Sequence, residues 1–153
     1  MMKTQKLVLD QIDSKIKEVN IPESFVLPQA GWVYSIRQAL GMSLRQLGKK
    51  LNITAQSVKE IENREKSGSV SLNVLHQVAA CFDMKLVYVF IPKSGSLEKM
   101  INNRAMELAR EIVIRTSASM VLEDQANSEA RLQKAITEKA SEIKQEMPKY
   151  LWD

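Results

Sequence analysis

The chain has 153 residues, of which 44% are apolar, and a formal net charge of +4 at pH 7. This length allows one domain with an appendage or two small ones, and the apolar content excludes a disordered chain. No apolar run approaches the ~20 residues of a membrane span, and a single cysteine, Cys81, excludes an internal disulfide framework. Because the first residues also lack the apolar stretch of a signal peptide, we expect a cytoplasmic protein.

The positive charge is concentrated in one region. Residues 31–70 contain seven basic and three acidic residues, a net charge of +4 that equals the charge of the whole chain. A basic patch of this kind suits contacts with nucleic-acid phosphates. The alternative is an ordinary solvated surface, and charge alone does not decide between the two. The helix pattern of the same region favours nucleic acid.

The N-terminal region, residues 1–28, is predicted to hold one helix over residues 4–19. Four apolar residues share one side of this helix: Leu9, Ile12, Ile16 and Val19. Pro22 follows and ends it, because proline cannot donate to the helical hydrogen bonds. We expect this helix to pack on its own protein or on a partner copy.

Residues 29–84 are predicted to form a helical bundle whose first helix covers residues 31–39. Helical spacing places three apolar side chains in its core: Trp32, Ile36 and Leu40. Ser43 then opens an amphipathic helix over residues 44–51, with apolar positions at i, i+3 and i+7. Further on, Ser71 caps another helix, in which the only histidine, His76, falls beside the apolar stripe and is not expected to bind metal.

The pair Asn52-Ile53 is a break of the size that joins two helices at a steep angle. Thr54 is expected to cap the next helix, with Val58 and Ile61 on its buried face. The remaining positions point outward: Ala55, Gln56, Lys59 and Glu60. The pattern therefore predicts a helix-turn-helix, in which the second helix is laid into a groove of double-stranded DNA.

Several polar side chains of this region are candidates for contacts with DNA. The Gln56 amide can form two hydrogen bonds with adenine, and the Ser57 hydroxyl can donate to a phosphate or a base. Residues 63–69 are predicted to be a polar loop that meets the phosphate backbone. The full set of predicted DNA-binding residues is Ser43, Arg45, Lys49, Thr54, Ala55, Gln56, Ser57, Lys59, Glu60, Asn63, Arg64 and Lys66.

From Trp32 to Phe82 the chain resembles the phage-repressor and Xre type of helix-turn-helix. The resemblance rests on the following residues: Ile36, Arg37, Leu40, Ser43, Leu47, Leu51, Thr54, Gln56, Ser57, Val58, Ile61, Glu62 and Asn63. One departure is Gly48, where alanine is usual; glycine weakens a helix by about 1 kcal/mol but permits a close helix crossing. The resemblance implies a structural ion pair between Arg37 and Glu62 and does not make Arg37 a DNA contact.

Residues 85–92 are predicted to form a dimerisation strand. The residues from Lys85 to Ile91 are rich in β-branched and aromatic side chains, and Pro92 ends the run. A lone strand leaves backbone groups unpaired, so we expect an antiparallel ribbon formed by two copies around a two-fold axis. The predicted dimerisation residues are Leu86, Val87, Tyr88, Val89, Phe90 and Ile91.

The C-terminal region, residues 96–153, is composed of helix formers almost throughout. One apolar stripe consists of Leu97, Met100, Ile101, Leu108 and Ile112, and a second of Leu132, Ile136, Ala140, Ile143 and Met147. The β-branched and serine cluster of residues 113–119 predicts a break between two helices. Because the tail ends with Tyr150 and Trp152, we expect it to dock on the protein.

Most of the chain, from Trp32 to the end, resembles a family named mobile mystery protein A. Besides the helix-turn-helix, the resemblance rests on residues 86–92, residues 119–125, and Pro148 followed by residues 151–153. It implies a regulator encoded beside a protein with a Fic domain, an enzyme type that commonly transfers AMP to proteins, in a layout similar to a toxin–antitoxin module. Ser119 and Glu123 have the spacing of an inhibitory helix in some antitoxins of Fic enzymes, although Asp124 departs from that pattern. The alternative is an N-cap serine followed by a first-turn glutamate.

The predicted fold is mainly α: a repressor-like bundle with one strand and a C-terminal helical extension. The leading hypothesis is a dimeric DNA-binding repressor, an antitoxin that controls its own operon. A second hypothesis is an inhibitor whose C-terminal helices hold a partner Fic toxin, and a third is a purely structural helical protein. One histidine, one cysteine and no phosphate-binding loop argue against an enzyme, and no cofactor, metal or membrane partner is expected.

Overall fold

The computed structural model describes residues 2–117 and 125–153, and these residues are mainly helical. The helices are α1 (Lys3–Val19), α2 (Trp32–Ala39), α3 (Leu44–Leu51), α4 (Ala55–Ser67), α5 (Leu72–Cys81), α6 (Leu97–Ser117) and α7 (Gln125–Glu146), followed by a 3₁₀ turn at Lys149–Trp152. In the described part of the chain no helix is long and apolar enough to cross a membrane.

The chain forms two compact units. The central unit is Ile21–Tyr88, and the terminal unit combines Met1–Asn20 with Val89–Asp153. The sequence predicts the first helix as a separate N-terminal region. In the structure this helix packs with the C-terminal helices. The central unit begins at residue 21 and ends at residue 88, whereas the predicted bundle covers residues 29–84.

The first helix joins the terminal unit through one buried carboxylate. Asp13 of α1 accepts hydrogen bonds from the backbone N–H groups of Leu97, at 2.7 Å, and Glu98, at 3.1 Å. These donors have no partner within a helix, and a negative charge at a helix N-terminus is favourable. Asp13 of α1 thus caps α6 across 84 residues of sequence, while Leu9 packs on the core between α6 and α7.

Small residues let α6 and α7 approach closely in the terminal unit. The buried residues are Ile101, Ala105 and Ala109 on α6, Ile136, Ala140 and Ile143 on α7, and Leu151 of the 3₁₀ turn. The C-terminal tail docks as the sequence predicts, but through a different residue: Leu151 is 0% exposed, whereas Tyr150 and Trp152 are 48% and 56% exposed. Arg104 fixes this turn by donating to the carbonyl oxygens of Leu151, at 2.6 Å, and Asp153, at 2.7 Å.

The core of the central unit takes one buried side chain from each of its four helices. These are Val33, Leu47, Val58 and Val78, each at most 3% exposed. Expecting Trp32 and Leu40 in this core was wrong, because they are 44% and 55% exposed. The inward face of α2 passes through Val33 and Arg37, which are four residues apart, and helical geometry turns the neighbouring positions outward.

The predicted dimerisation strand is not found, since the described residues contain no β-strand. A strand exists only through hydrogen bonds to a neighbouring strand, and none of the backbone N–H groups of residues 85–91 has a hydrogen-bond partner in the described part of this single chain. The segment is nevertheless apolar and exposed. Val87, Tyr88 and Ile91 are more than half exposed, and Phe90 is 87% exposed.

Candidate nucleic-acid interface

Side-chain caps fix where α3 and α4 begin. The Ser43 hydroxyl accepts from the backbone N–H of Gln46, and the Gln46 side chain accepts in return from the backbone N–H of Ser43, which is a complete capping box. The Thr54 hydroxyl accepts from the backbone N–H of Ser57 at 3.1 Å, as the sequence predicts. Between the two helices Asn52 adopts a left-handed conformation with a φ of 60°. This conformation turns the chain sharply into α4.

Gly48 allows the turn to lie against α3. A Cβ atom at this position would come within 2.7 Å of the carbonyl oxygen of Ile53, closer than van der Waals contact allows. The Ile53 backbone N–H also bonds to the carbonyl oxygen of Gly48 at 2.9 Å. The alanine usual at this position in the family that the chain resembles would therefore need a shifted turn. Glycine here sets the position of the first residues of α4.

A buried ion pair joins α2 to α4. The guanidinium of Arg37 donates to both carboxylate oxygens of Glu62, with a distance of 3.3 Å between Nη2 and Oε2, and the two side chains are 7% and 3% exposed. Nη1 of Arg37 donates in addition to the carbonyl oxygen of Met42 at 2.9 Å. The guanidinium is directed into the central unit, where it stabilises the orientation of α4 relative to α2.

The outward face of α4 carries the polar side chains expected from the sequence. Gln56, Lys59, Glu60 and Asn63 are exposed, while Ala55 and Ser57 are half-buried. The Thr54 hydroxyl donates to the Ser57 hydroxyl at 2.9 Å. Because Ser57 accepts in this bond, its own proton remains available for a phosphate or a base.

The helix α4 continues to Ser67, so expecting a loop over residues 63–69 was wrong for most of that stretch. Arg64 and Lys66 are exposed in its last turn. Glu65 turns inward instead and accepts from the backbone N–H groups of Trp32 and Val33, where it caps α2. Sequence reasoning missed this role. The available signal was Gly31 before α2, which offers no capping side chain of its own.

These contacts change the charge balance of the exposed surface between residues 31 and 70. Of the three acidic residues there, Glu62 is buried and Glu65 is half-buried, so Glu60 is the only exposed one in this stretch. Six basic side chains in the same stretch are exposed: Arg45, Lys49, Lys50, Lys59, Arg64 and Lys66. Lys50 was not among the predicted contacts. It lines, with Lys49 and Gln46, a shallow groove of about 480 Å³ beside the loop after α2.

The remaining predicted sites lie outside the helix-turn-helix surface. Ser119 and Glu123 lie outside the described residues. Within residues 2–117 and 125–153 there is no group of histidine, cysteine, aspartate or glutamate side chains that could hold a metal ion. Cys81 is a free thiol that is partly buried and packs against the core of the central unit.

Two successive capped helices with a tight turn and a basic outward face are the features of a DNA-binding helix-turn-helix. A family model described as "Helix-turn-helix" matches residues 33–89, which include most of α2 and all of α3, α4 and α5. The match supports the predicted helix-turn-helix of the Xre repressor type, a domain typical of DNA-binding transcription regulators. Comparisons with curated proteins and with solved structures gave no match.

Proposed function

We propose that the protein is a sequence-specific repressor that binds operator DNA in its own promoter. The observation that carries this proposal is the outward face of α4, where Gln56, Lys59 and Asn63 are exposed beside a surface with six basic side chains and one acidic side chain. A surplus of positive charge supplies affinity for phosphates, and exposed amides supply base recognition. The exposed amides lie on α4, and the basic side chains lie on α4 and on the neighbouring α3.

In this proposal α4 lies in the major groove and its N-terminal half meets the base edges. Gln56 is the base-reading residue, and the Ser57 hydroxyl bonds to a phosphate or a base. Lys49 on α3 contacts the phosphate backbone. Arg37 and Glu62 do not touch DNA but keep α4 at a fixed angle to α2.

Replacing Gln56 and Lys49 separately with alanine tests this assignment. Gln56→Ala is expected to weaken operator binding by about 1–3 kcal/mol and to relax the preference at one base pair per half-site. Lys49→Ala is expected to weaken binding to all sequences alike and to lower the slope of log K against log salt by roughly one unit per half-site. The measurement is binding to the protein's own promoter, and to scrambled DNA, across a salt series.

The terminal unit offers matched controls for both variants. Gln133 and Lys134 are exposed on α7, so Gln133→Ala and Lys134→Ala remove the same groups from a helix outside the helix-turn-helix. They are expected to leave binding unchanged. Wild-type affinity of both Gln56→Ala and Lys49→Ala would contradict the proposed interface.

The proposed repressor acts as a homodimer that associates through residues 85–91. The exposed apolar side chains and unpaired backbone N–H groups of this segment support the proposal, because such groups can pair with the same segment of a second copy. Two copies related by a two-fold axis would present their α4 helices to half-sites about 34 Å apart on DNA. Dimerisation would then double the number of base contacts.

Val89→Pro tests the dimer. Proline removes the backbone N–H and blocks pairing, so we expect this variant to sediment as a monomer and to lose far more affinity for the operator than for random DNA. Val89→Thr, which keeps the N–H and the branched shape, is the control and should remain dimeric. A wild-type monomer at micromolar concentration, or a dimer of Val89→Pro, would contradict the proposal.

A second candidate function is inhibition of a partner enzyme of the Fic type by the terminal unit, as the antitoxin resemblance suggests. The observation that favours it is an open apolar groove of about 710 Å³ in this unit, lined among others by Ile12, Ile16, Phe90, Met100 and Trp152. A gene for a Fic-domain protein beside this one would support the candidate. Co-purification of the two proteins that Trp152→Ala weakens, with DNA binding retained, would test it.

A further inference from the structure

The ring of Tyr34 on α2 contacts two cationic side chains. The guanidinium carbon of Arg37 is 5.4 Å from the ring centroid, and Nζ of Lys59 on α4 is 5.9 Å from it. Both distances are within the ≈ 6 Å over which a cation is attracted to an aromatic face. Tyr34 is half-buried and Lys59 is exposed. The ring therefore connects α2 with the outward face of α4.

The two cations differ in how firmly they are held. Arg37 is fixed by Glu62 and by the carbonyl oxygen of Met42, so it holds the ring in place. The ammonium of Lys59 forms no ion pair or hydrogen bond with the described part of the chain. An exposed lysine has a flexible four-carbon stem that loses conformational freedom when it binds a ligand. Attraction to the ring reduces this loss by limiting the positions of the ammonium before binding.

We propose that Tyr34 is a positioning residue that holds Lys59 ready for a DNA phosphate. This inference rests on the proposed DNA-binding function. The ring draws the Lys59 ammonium towards α2. Lys59 therefore contacts the DNA phosphate backbone at the edge of the major groove and does not read a base. A compact ammonium with three donors suits a phosphate. Base recognition is then left to Gln56, which lies one helical turn earlier on the same side of α4.

Three single variants and one double variant test the proposal. Tyr34→Phe keeps the ring and is expected to bind promoter DNA as the wild type does. Tyr34→Leu keeps an apolar side chain without an aromatic face and is expected to weaken binding about two- to fivefold per half-site, the range that an exposed cation–π contact supplies. It should do so equally on operator and scrambled DNA. Lys59→Met should lower the salt slope by roughly one unit per half-site.

The double variant separates positioning from a general effect on folding. In a Lys59→Met background, Tyr34→Leu should cause no further loss of DNA affinity, because the cation that it positions is gone. An equal loss in both backgrounds would overturn the proposal, as would wild-type binding by Tyr34→Leu or a loss on Tyr34→Phe as large as that on Tyr34→Leu. In each of these cases the wild type still binds its promoter, so the DNA-binding function would stand.

A measurement without DNA tests the contact itself. The side-chain methylene protons of Lys59 should show upfield ring-current shifts in NMR spectra of the wild type and of Tyr34→Phe, and lose them in Tyr34→Leu. Unshifted Lys59 protons in the wild type would overturn the positioning role. If these shifts are present but the wild type fails to bind promoter DNA, the proposed DNA-binding function is overturned. The proposed contact of Lys59 with a DNA phosphate is then overturned as well.

Discussion

Replacing Arg37 with alanine is expected to lower the free energy of unfolding by about 3–5 kcal/mol, because it leaves the carboxylate of Glu62 buried without its partner. Glu62 is 3% exposed, so bulk water solvates its carboxylate poorly. The carbonyl oxygen of Met42 also loses its donor. Chemical denaturation of the full chain, followed by circular dichroism, measures the effect.

Two further variants sharpen this prediction. Gln38→Ala changes the exposed residue next along α2 and is expected to stay within about 0.5 kcal/mol of the wild type. The double variant Arg37→Met/Glu62→Leu removes both charges and should recover most of the lost stability, since apolar pairs of similar volume often replace buried ion pairs without cost. An unchanged melting temperature of Arg37→Ala together with lost DNA binding would make Arg37 a DNA contact.

Replacing Leu151 with alanine is expected to destabilise the terminal unit by about 2–5 kcal/mol. Its side chain is fully buried in the core formed with α6 and α7, and truncation leaves a cavity in addition to the lost burial. Hydrogen exchange of the α6 and α7 amides and thermal denaturation measure the change. Amide protection in these two helices should fall together with the melting temperature.

Tyr150→Ala is the matched control, since Tyr150 precedes Leu151 and is half exposed. It should change stability by no more than about 0.5 kcal/mol. If Tyr150→Ala destabilised the unit and Leu151→Ala did not, the aromatic side chains would be the anchors of the tail, as the sequence alone suggested.

The parts of the fold that the sequence predicts well depend on local chemistry. Ser43, Thr54 and Ser71 cap their helices as expected, because a capping hydroxyl acts on backbone groups three residues away. The contacts that the sequence did not reveal join distant positions. Asp13 caps a helix that begins 84 residues later, and Glu65 caps α2 from the far end of α4. Periodicity within one helix carries no information about such partners.

Two structural predictions from the sequence were wrong for a similar physical reason. The apolar spacing of Trp32, Ile36 and Leu40 suggested a buried stripe, but the ion pair of Arg37 requires the adjacent face of α2 to point inward. Residues 85–91 have the composition of a strand, yet composition cannot supply the neighbouring strand that the hydrogen bonds need. The DNA contacts proposed for α4 stay predictions until binding is measured.

The terminal unit is assembled from segments on both sides of the central unit, so its parts are synthesised at different times. At about 5–20 residues per second, the central unit leaves the ribosome as one uninterrupted stretch and can fold as soon as Tyr88 has emerged. The helix α1 is made first but waits on the order of 10 s for α6, α7 and Leu151. During that interval its apolar residues, Leu9 among them, are available to chaperones or to another nascent chain. Adjacent ribosomes on one message therefore offer a route by which α1 of one copy could complete the terminal unit of another.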